Sequence, residues 1–368
     1  MRRVWMLADN IVSPLGLTSE ENFLKVQKGV SGLGLVDNDA LGSHPFYGGF
    51  IEHINRDSYS KFESMCQHVI DHLLTKVSLN KERTLFILST TKGNISFLEE
   101  GRQDHPRIHL HATAAFLAKM YGFKDHLVIS NACISGVMAL IVAKRLISIG
   151  QFDHAVVVGA DVLSRFVVSG FESLHALSPE KCRPFDAQRK GINLGECAAG
   201  VVLGINDDSI VAPRIYIAGG GLSNDANHIS GPSRTGEELA LAIAQALEES
   251  GKKAEGIDFI SAHGTATLYN DEMEAKAIHI VDMEEKPLNS LKGYFGHTLG
   301  AAGVLETILS AESLRQNQLL ATAGFAQIGV SQPVNVIRES AHHPIETCLK
   351  MASGFGGCNA AIVLQKVN

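Results

Sequence analysis

The sequence predicts an α/β fold of more than three layers, built from two related halves. Short runs rich in valine and isoleucine alternate with helical segments, a pattern typical of parallel or mixed sheets with helices on their faces. Two of the helical segments are apolar on every side, so they belong in an interior between layers rather than at a surface. Each half of the chain contains one of these two segments, which indicates a duplication.

The predicted strands are apolar runs with little alternation, as expected for strands that are buried on both faces. They cover residues 85–88, 127–130, 155–158, 200–203, 257–260 and 360–364. The predicted helices cover residues 137–149, 236–249 and 299–314, and the first and third are the apolar ones. A polar break at residues 206–209 predicts the boundary, with an N-terminal half of residues 1–208 and a C-terminal half of residues 209–368.

The composition is that of a well-packed globular chain, with 45% apolar and 19% charged residues among 368 positions. A net charge of −7 and the lack of a basic run argue against nucleic-acid binding. The six cysteines form no CxxC pair and no secretory leader is recognised, so we expect reduced thiols and a cytoplasmic protein. The uncharged stretch at residues 127–143 is too short and too mixed to predict a membrane span.

Cys133 is the first candidate for a reactive group. It lies in a segment that predicts a strand end, a sharp turn and then an apolar helix, so the thiol is expected at a helix N-terminus. The helix dipole and free N–H groups lower the pKa of a thiol at such a position and favour the thiolate. Taken alone, Cys133 could equally be a buried packing residue without chemistry.

Two histidines stand at the ends of predicted elements in the second half. His263 directly follows the predicted strand 257–260, and His297 directly precedes the second apolar helix. Both have glycine and hydroxyl neighbours, and side chains at such ends can meet in one pocket. The histidine-rich stretch at residues 105–111 offers no carboxylate at helical spacing, so we expect no metal site there.

Several short motifs occur in a fixed order along the chain. They are Asn131-Ala-Cys133, Arg183-Pro-Phe-Asp186, His263-Gly-Thr-Ala-Thr267, Lys292 with Gly296-His297, and Gly354-Phe-Gly-Gly357. The ordered set resembles β-ketoacyl-[acyl-carrier-protein] synthases of the Cys-His-His group. The resemblance implies a thiolase-like five-layer αβαβα sandwich of two pseudo-duplicated halves. It also implies an acyltransferase that joins an enzyme-bound acyl group to malonyl-acyl carrier protein, with loss of carbon dioxide, to give a 3-oxoacyl-acyl carrier protein.

The resemblance further implies roles for individual residues. Cys133 would carry the acyl group, and its backbone N–H would form an oxyanion hole with that of Phe355. His263 and His297 would hydrogen-bond the malonyl thioester carbonyl and stabilise the enolate, a role that suits neutral imidazoles. Lys292 and Glu306 would form a buried pair that acts on the histidines electrostatically.

The same resemblance suggests how the substrate is held. Thr265 and Thr267 match hydroxyls that bind the phosphopantetheine arm, with ordinary loop capping as the alternative. Phe355 matches a gate for the acyl chain, and Phe171 matches a second aromatic of the acyl pocket, with a core position as the alternative. We expect no metal and no cofactor beyond the phosphopantetheine of the acyl carrier protein. The implied partners are that carrier and a second subunit, either an identical chain or a homologous chain-length factor, with no nucleic acid and no membrane.

Three alternatives fit the motifs less well. A thiolase usually has a second cysteine and a single key histidine, and an initiating ketosynthase would have asparagine at position 297. A non-catalytic chain-length factor would lack the reactive cysteine. Fatty acid synthesis and a polyene or polyketide pathway both stay open, since the short chain and the segment Gly293–His297 are similar to enzymes of aryl-polyene or flexirubin-type pigment synthesis.

Overall fold

The structure is a computed structural model that describes residues 2–52, 54, 58–205, 213–225 and 231–368. Its strands are β1 (Trp5–Val12), β2 (Gly34–Val36), β3 (Phe46–Gly49), β4 (Thr84–Ser89), β5 (Asp125–Ile129), β6 (His154–Asp161), β7 (Leu194–Gly195), β8 (Cys197–Gly204), β9 (Arg214–Asn224), β10 (Phe259–Ser261), β11 (Pro287–Asn289), β12 (Gln318–Leu319), β13 (Asn335–Val336), β14 (Ala341–His342), β15 (Thr347–Gly354) and β16 (Cys358–Val367). Its helices are α1 (Ser19–Gln27), α2 (Lys61–Lys76), α3 (Ser96–Glu99), α4 (Leu110–Tyr121), α5 (Ser135–Ser148), α6 (Arg165–Ser173), α7 (Glu237–Ser250), α8 (Leu268–Ile280), α9 (Lys292–Phe295) and α10 (Ala302–Gln316). The predicted boundary between residues 208 and 209 lies outside the described residues.

The two halves have the same strand topology. In the N-terminal half the hydrogen-bonded order is β1-β8-β6-β4-β5, and in the C-terminal half it is β9-β16-β15-β10-β11, followed by the two-residue edge strand β13. Apart from β13, each order runs first, last, fourth, second and third along its half, with two antiparallel pairings followed by two parallel ones. The two sets are joined into one continuous sheet where β1 pairs with β9 at Trp5 and Tyr216. The predicted duplication is confirmed.

Three hydrophobic cores define five layers. Helices α2 and α4 cover the outer face of the N-terminal sheet, and α7 and α8 cover the outer face of the C-terminal sheet. Between the two sheets lie α5 and α10, whose apolar side chains belong to the core shared by both halves. This arrangement confirms the αβαβα sandwich and explains why these two helices are apolar all round.

The two central helices cross with their backbones in contact. A Cβ atom on Gly303 would lie 2.4 Å from the backbone nitrogen of Val137, and one on Gly136 would lie 2.9 Å from the Cα of Gly303. Only glycine permits such an approach. Because the crossing lies near the N-terminal end of both helices, the segments that precede them, with Cys133 and His297, are brought to one place.

Strand β5 differs from the sequence-based prediction. The run at residues 127–130 predicts a strand buried on both faces, but Asp125, His126 and Leu127 are exposed. The reason is that β5 stands at the end of the sheet and pairs only with β4 among the described strands. None of the helices in the described ranges combines the length and the apolar character needed to span a bilayer.

Candidate active site

The structure brings seven of the predicted site residues to the wall of one pocket, which has a volume of about 430 Å³. These residues are Cys133, Phe171, His263, Thr265, Thr267, His297 and Phe355. The remaining two, Lys292 and Glu306, are buried behind it. The pocket is lined by residues of both halves, so the site forms only where the two halves pack together.

Cys133 stands on a strained turn between β5 and α5. The preceding residue, Ala132, has a φ of 44°, a left-handed conformation that is uncommon outside glycine. Ser135 stabilises the turn, because its hydroxyl accepts a hydrogen bond from the Asn131 N–H at 2.8 Å and donates to the Ala132 carbonyl at 2.6 Å. The backbone N–H of Phe355 lies near the Cys133 sulfur and acts to lower the pKa of the thiol. The turn thus presents the thiol to the pocket beside a backbone donor.

The predicted low pKa of Cys133 is wrong. Its side chain is only 8% exposed, and burial raises the pKa of the thiol to about 12, although the N–H of Phe355 and the charge of Lys292 act in the opposite direction. In the resting protein Cys133 is therefore a neutral thiol that must lose its proton as it reacts.

This result predicts how alkylation of Cys133 depends on pH. We expect the rate of alkylation by iodoacetamide to rise about tenfold per unit between about pH 7 and about pH 9, because only the thiolate reacts. Peptide mass spectrometry at each time point assigns the rate to Cys133, and Cys133→Ala is the control. A rate that levels off below about pH 8 would instead indicate the low thiol pKa that the sequence suggests.

His263 is held by carboxylates from the helix that follows it. Glu274 on α8 accepts hydrogen bonds from the backbone N–H groups of His263 at 2.7 Å and Gly264 at 2.6 Å. Asp271, one turn earlier on the same helix, accepts from the Thr265 N–H at 2.9 Å. These hydrogen bonds satisfy the backbone N–H groups of the loop between β10 and α8. They therefore fix the backbone position from which the His263 imidazole projects.

His297 is held by the loop that contains the Arg183-Pro-Phe-Asp186 motif and continues to Glu196. Its N–H donates to the Asn193 carbonyl at 2.7 Å, and its carbonyl accepts from the Gly195 N–H at 3.1 Å. A Cβ on Gly195 would lie 1.8 Å from the Phe295 carbonyl oxygen, so this approach requires glycine. A loop of the N-terminal half thus positions a histidine of the C-terminal half.

The two imidazoles lie next to each other and to the thiol, with their rings nearly perpendicular. Their ring centroids are 5.0 Å apart at an angle of 83°, and Cys133 Sγ and one nitrogen of each ring lie within 4.8 Å of one another. His263 Nδ1 and both ring nitrogens of His297 are buried and form no hydrogen bond with any described residue. Neutral imidazoles each carry one N–H. A neutral His297 therefore has a free N–H for a ligand, and His263 presents a free ring nitrogen beside it.

The environment keeps both imidazoles neutral. Burial lowers the pKa of His263 and of His297 well below the usual value, and the charge of Lys292 lowers both further. This direction favours the neutral imidazoles that the resemblance implies. Loss of their charge also limits the cost of burying them, because a neutral ring needs no counter-ion.

Behind the histidines lies a buried cluster of three charges. Lys292 Nζ is 2.6 Å from Glu306 Oε1, as the predicted pair requires, and Lys350 Nζ is 2.7 Å from Glu306 Oε2. Burial raises the pKa of Glu306, but the two lysines outweigh it and hold that pKa below its usual value. Sequence analysis missed Lys350, although a single lysine within the apolar strand β15 was a visible signal.

The remaining site residues lie nearer the mouth of the pocket. The hydroxyls of Thr265 and Thr267 are 2.9 Å apart, and Thr267 also accepts a hydrogen bond from the Asn270 N–H at the start of α8. Both the substrate role and the capping alternative are therefore compatible with the geometry. The rings of Phe171 and Phe355 are in contact, with centroids 5.7 Å apart, so Phe171 lines the pocket. Phe171 also packs against a small hydrophobic cluster that contains Val168 and Leu194.

Comparison with known proteins agrees with this geometry. A model of the β-ketoacyl synthase N-terminal domain matches residues 106–208, and a model of the β-ketoacyl synthase C-terminal domain matches residues 215–326. Together these ranges cover more than half of the chain. The chain belongs to the β-ketoacyl synthase family. The two matches lie on either side of the predicted boundary.

Relatives of this β-ketoacyl synthase extend the comparison. The 3-oxoacyl-[acyl-carrier-protein] synthase 2 of Rhizobium meliloti (strain 1021) is 36% identical over 257 residues, which are 66% of this chain and 61% of the relative. Nodulation protein E of Rhizobium leguminosarum bv. trifolii is 30% identical over 298 residues, which are 77% of this chain and 71% of the relative. These matches therefore span 61% to 71% of the relatives' lengths.

A solved structure shows that the similarity in fold extends over the whole chain. A ketosynthase in complex with its chain length factor from Xenorhabdus doucetiae has a TM-score of 0.86 and 26% identity, over 100% of this chain and 98% of that chain.

Proposed function

We propose that this β-ketoacyl synthase condenses an acyl group held on Cys133 with malonyl-acyl carrier protein, to give a 3-oxoacyl-acyl carrier protein and carbon dioxide. The observation that carries the proposal is the placement of one thiol and two neutral imidazoles within 4.8 Å of one another on the wall of a 430 Å³ pocket. A nucleophile and two hydrogen-bond donors at this spacing match the two halves of a decarboxylative Claisen condensation.

The first half-reaction transfers the acyl group to the enzyme. Cys133 attacks the thioester carbonyl of the acyl carrier, and the backbone N–H groups of Cys133 and Phe355 stabilise the oxyanion. Because the pKa of the thiol is about 12, its proton must leave while the S–C bond forms. The nearest imidazole accepts this proton and donates it to the departing pantetheine thiolate. The enzyme is left acylated, and the carrier is released as a thiol.

The second half-reaction forms the carbon–carbon bond. The C–C bond to the malonyl carboxylate breaks, carbon dioxide leaves, and the electron pair remains on the thioester as an enolate. The N–H groups of His263 and His297 donate hydrogen bonds to the enolate oxygen. Neutral imidazoles are sufficient for this, because each carries an N–H. The enolate carbon then attacks the acyl carbonyl on Cys133, the C–S bond breaks, and the released thiolate takes up a proton from solvent water.

On this proposal each substrate is attached to the phosphopantetheine arm of its acyl carrier protein. The phosphopantetheine of the carrier would enter past Thr265 and Thr267, and Phe355, which is 39% exposed, would move aside for the acyl chain. On this proposal the enzyme needs no cofactor and no metal of its own. All six cysteines are free, which supports a reducing compartment, and we propose the cytoplasm.

We also propose a second subunit as partner, either a further copy of this chain or a homologous chain-length factor. Strand β5 supports it, because this exposed edge strand of a large sheet offers unpaired backbone groups to another chain. A ketosynthase bound to its chain length factor is known from Xenorhabdus doucetiae. Fatty acid synthesis and polyene or polyketide synthesis remain the two pathway classes, and both use the chemistry described.

Acyl labelling is the direct test of the proposed function. When the protein is incubated with acyl-acyl carrier protein, we expect the acyl mass on the peptide that contains Cys133 alone. Addition of malonyl-acyl carrier protein should then release one carbon dioxide for each 3-oxoacyl product. A panel of saturated and conjugated polyenoyl carriers, with and without a co-purified homologous subunit, separates the two pathway classes.

The matched controls are the other thiols near the site. A Cβ atom on Gly354 would lie 3.0 Å from Cys358 Sγ and 2.9 Å from the backbone nitrogen of Cys133, so Cys358 is near the site. Cys182 Sγ donates a hydrogen bond to the Lys292 carbonyl. Acyl mass on Cys358 or Cys182 would contradict the assignment. Product formation from two acyl thioesters without release of carbon dioxide would indicate a thiolase instead.

A further inference from the structure

Lys350 is a fully buried lysine that the reaction scheme above does not use. It lies in the middle of β15 between the buried side chains of Leu349 and Met351. Its ammonium group shares the carboxylate of Glu306 with Lys292, one lysine on each oxygen. Burial of an ammonium group is costly unless it is paired, and here two cations share one anion.

The other contacts of Lys350 lead to the backbone that carries His263. Its Nζ donates to the carbonyls of Ser261 at 3.4 Å and Ala262 at 3.3 Å, and also to that of Met351. Ala262 directly precedes His263 in the chain. Lys350 thereby connects the segment before His263 to Glu306, and the same carboxylate holds Lys292 at the segment before His297.

Lys350 adds a positive charge to an ion pair that is already balanced. The charged or titratable groups that face the two imidazoles or their ion pairs are Lys292 on α9, Glu306 on α10, Lys350 on β15, Glu274 and Asp271 on α8, and the thiol of Cys133. Asp271 is itself paired with Arg189 at 3.9 Å. Lys292 and Glu306 cancel, and the buried thiol is neutral. Burial raises the pKa of Glu274 to about 7, so that group is only partly ionised near neutral pH. Burial lowers the pKa of Lys350, whereas the carboxylate of Glu306 acts in the opposite direction. In its charged form Lys350 is the cation that these pairs leave unbalanced next to the histidines.

We infer that Lys350 is a positioning residue, which ties the His263 segment to the Lys292–Glu306 pair and keeps both imidazoles neutral through its charge. The inference rests on the proposed function, because neutral N–H donors matter there for stabilising an enolate. A second positive charge near an imidazole disfavours its protonation. Removal of Lys350 should therefore make both histidines easier to protonate.

The test uses Lys350→Met, which keeps an unbranched side chain one atom shorter and removes the charge. The acid limb of the pH profile for malonyl-acyl carrier protein decarboxylation should move up by about one pH unit, because protonated imidazoles then appear at higher pH. The variant should consequently lose more activity at about pH 6 than at about pH 8. Lys144→Met is the matched control, since it removes another buried ion pair, Lys144 Nζ to Glu249 Oε1 at 2.6 Å, and should leave the limb in place.

A measurement that does not need activity separates the two proposals. In protein labelled with ¹⁵N-histidine, the ring signals of His263 and His297 can be assigned with the two alanine variants and titrated directly. In Lys350→Met these rings should titrate at higher pH than in the unchanged protein. If the unchanged protein does not decarboxylate malonyl-acyl carrier protein, the proposed function fails, but this titration still tests Lys350.

Two outcomes would overturn the inference. The first is a folded Lys350→Met protein whose histidines and acid limb titrate as in the unchanged protein. If Lys350→Met does not fold, Lys350→Gln replaces it, because the amide can still donate to the Ala262 carbonyl without a charge. Loss of folding in both variants would assign Lys350 to stability alone.

Discussion

Cys133→Ala should abolish condensation and leave malonyl decarboxylation in place. Without the sulfur there is no covalent acyl enzyme, so formation of 3-oxoacyl product should fall by at least about 10³-fold. The enolate is stabilised by His263 and His297, which this change does not touch. Mass spectrometry of the carrier-bound product and measurement of released carbon dioxide follow the two steps separately.

A buried cysteine elsewhere provides the control for this experiment. Cys66 lies in the core between α2 and the N-terminal sheet, and Cys66→Ala should retain both steps apart from a loss of stability. Condensation by Cys133→Ala would show that another group accepts the acyl chain. Parallel loss of decarboxylation would show that Cys133 also takes part in the step assigned to the histidines.

His263→Ala and His297→Ala should each reduce decarboxylation by about 10²- to 10³-fold, the range found when one donor to a developing oxyanion is removed. Both donors are buried, so water cannot replace the lost N–H without entering the pocket. The measurement is carbon dioxide release from malonyl-acyl carrier protein at saturating substrate, because the effect is expected on the chemical step rather than on binding.

His279→Ala is the matched control for the histidine variants. His279 lies on α8, is exposed, and interacts with Glu284 at 3.2 Å, so its removal should leave the reaction unchanged. Full decarboxylation by His263→Ala and by His297→Ala would refute the roles given to the two rings. A loss confined to one variant would assign the enolate to that ring alone.

Several features of the fold could be predicted because they depend on local sequence. The all-round apolar character of α5 and α10 indicates an interior layer, and their places in the two halves indicate the duplication. Strands β4, β6 and β8 are continuous apolar runs and were recognised as such. Strand β5 was recognised too, but its exposure was not, since a strand's position in the sheet order depends on pairing with distant segments.

The candidate site likewise contains residues that the sequence predicts and one that it does not. Cys133, His263 and His297 could be selected from the sequence because each lies in a short motif at the end of an element. The sharing of Glu306 by Lys292 and Lys350 could not, because Lys350 is in no such motif and its partner lies on another layer. Sequence reasoning therefore found the groups that react and missed one that acts through them.

The identity of the reactive groups, their order and the two-fold repeat are properties of the sequence, because local patterning and motif chemistry carry them. The protonation states are not. Cys133 stands before a helix N-terminus, which favours a thiolate, yet its pKa is raised to about 12 because layers from both halves bury it. Desolvation and ion pairing depend on contacts between residues far apart in the chain, and these arise only when the two halves pack together.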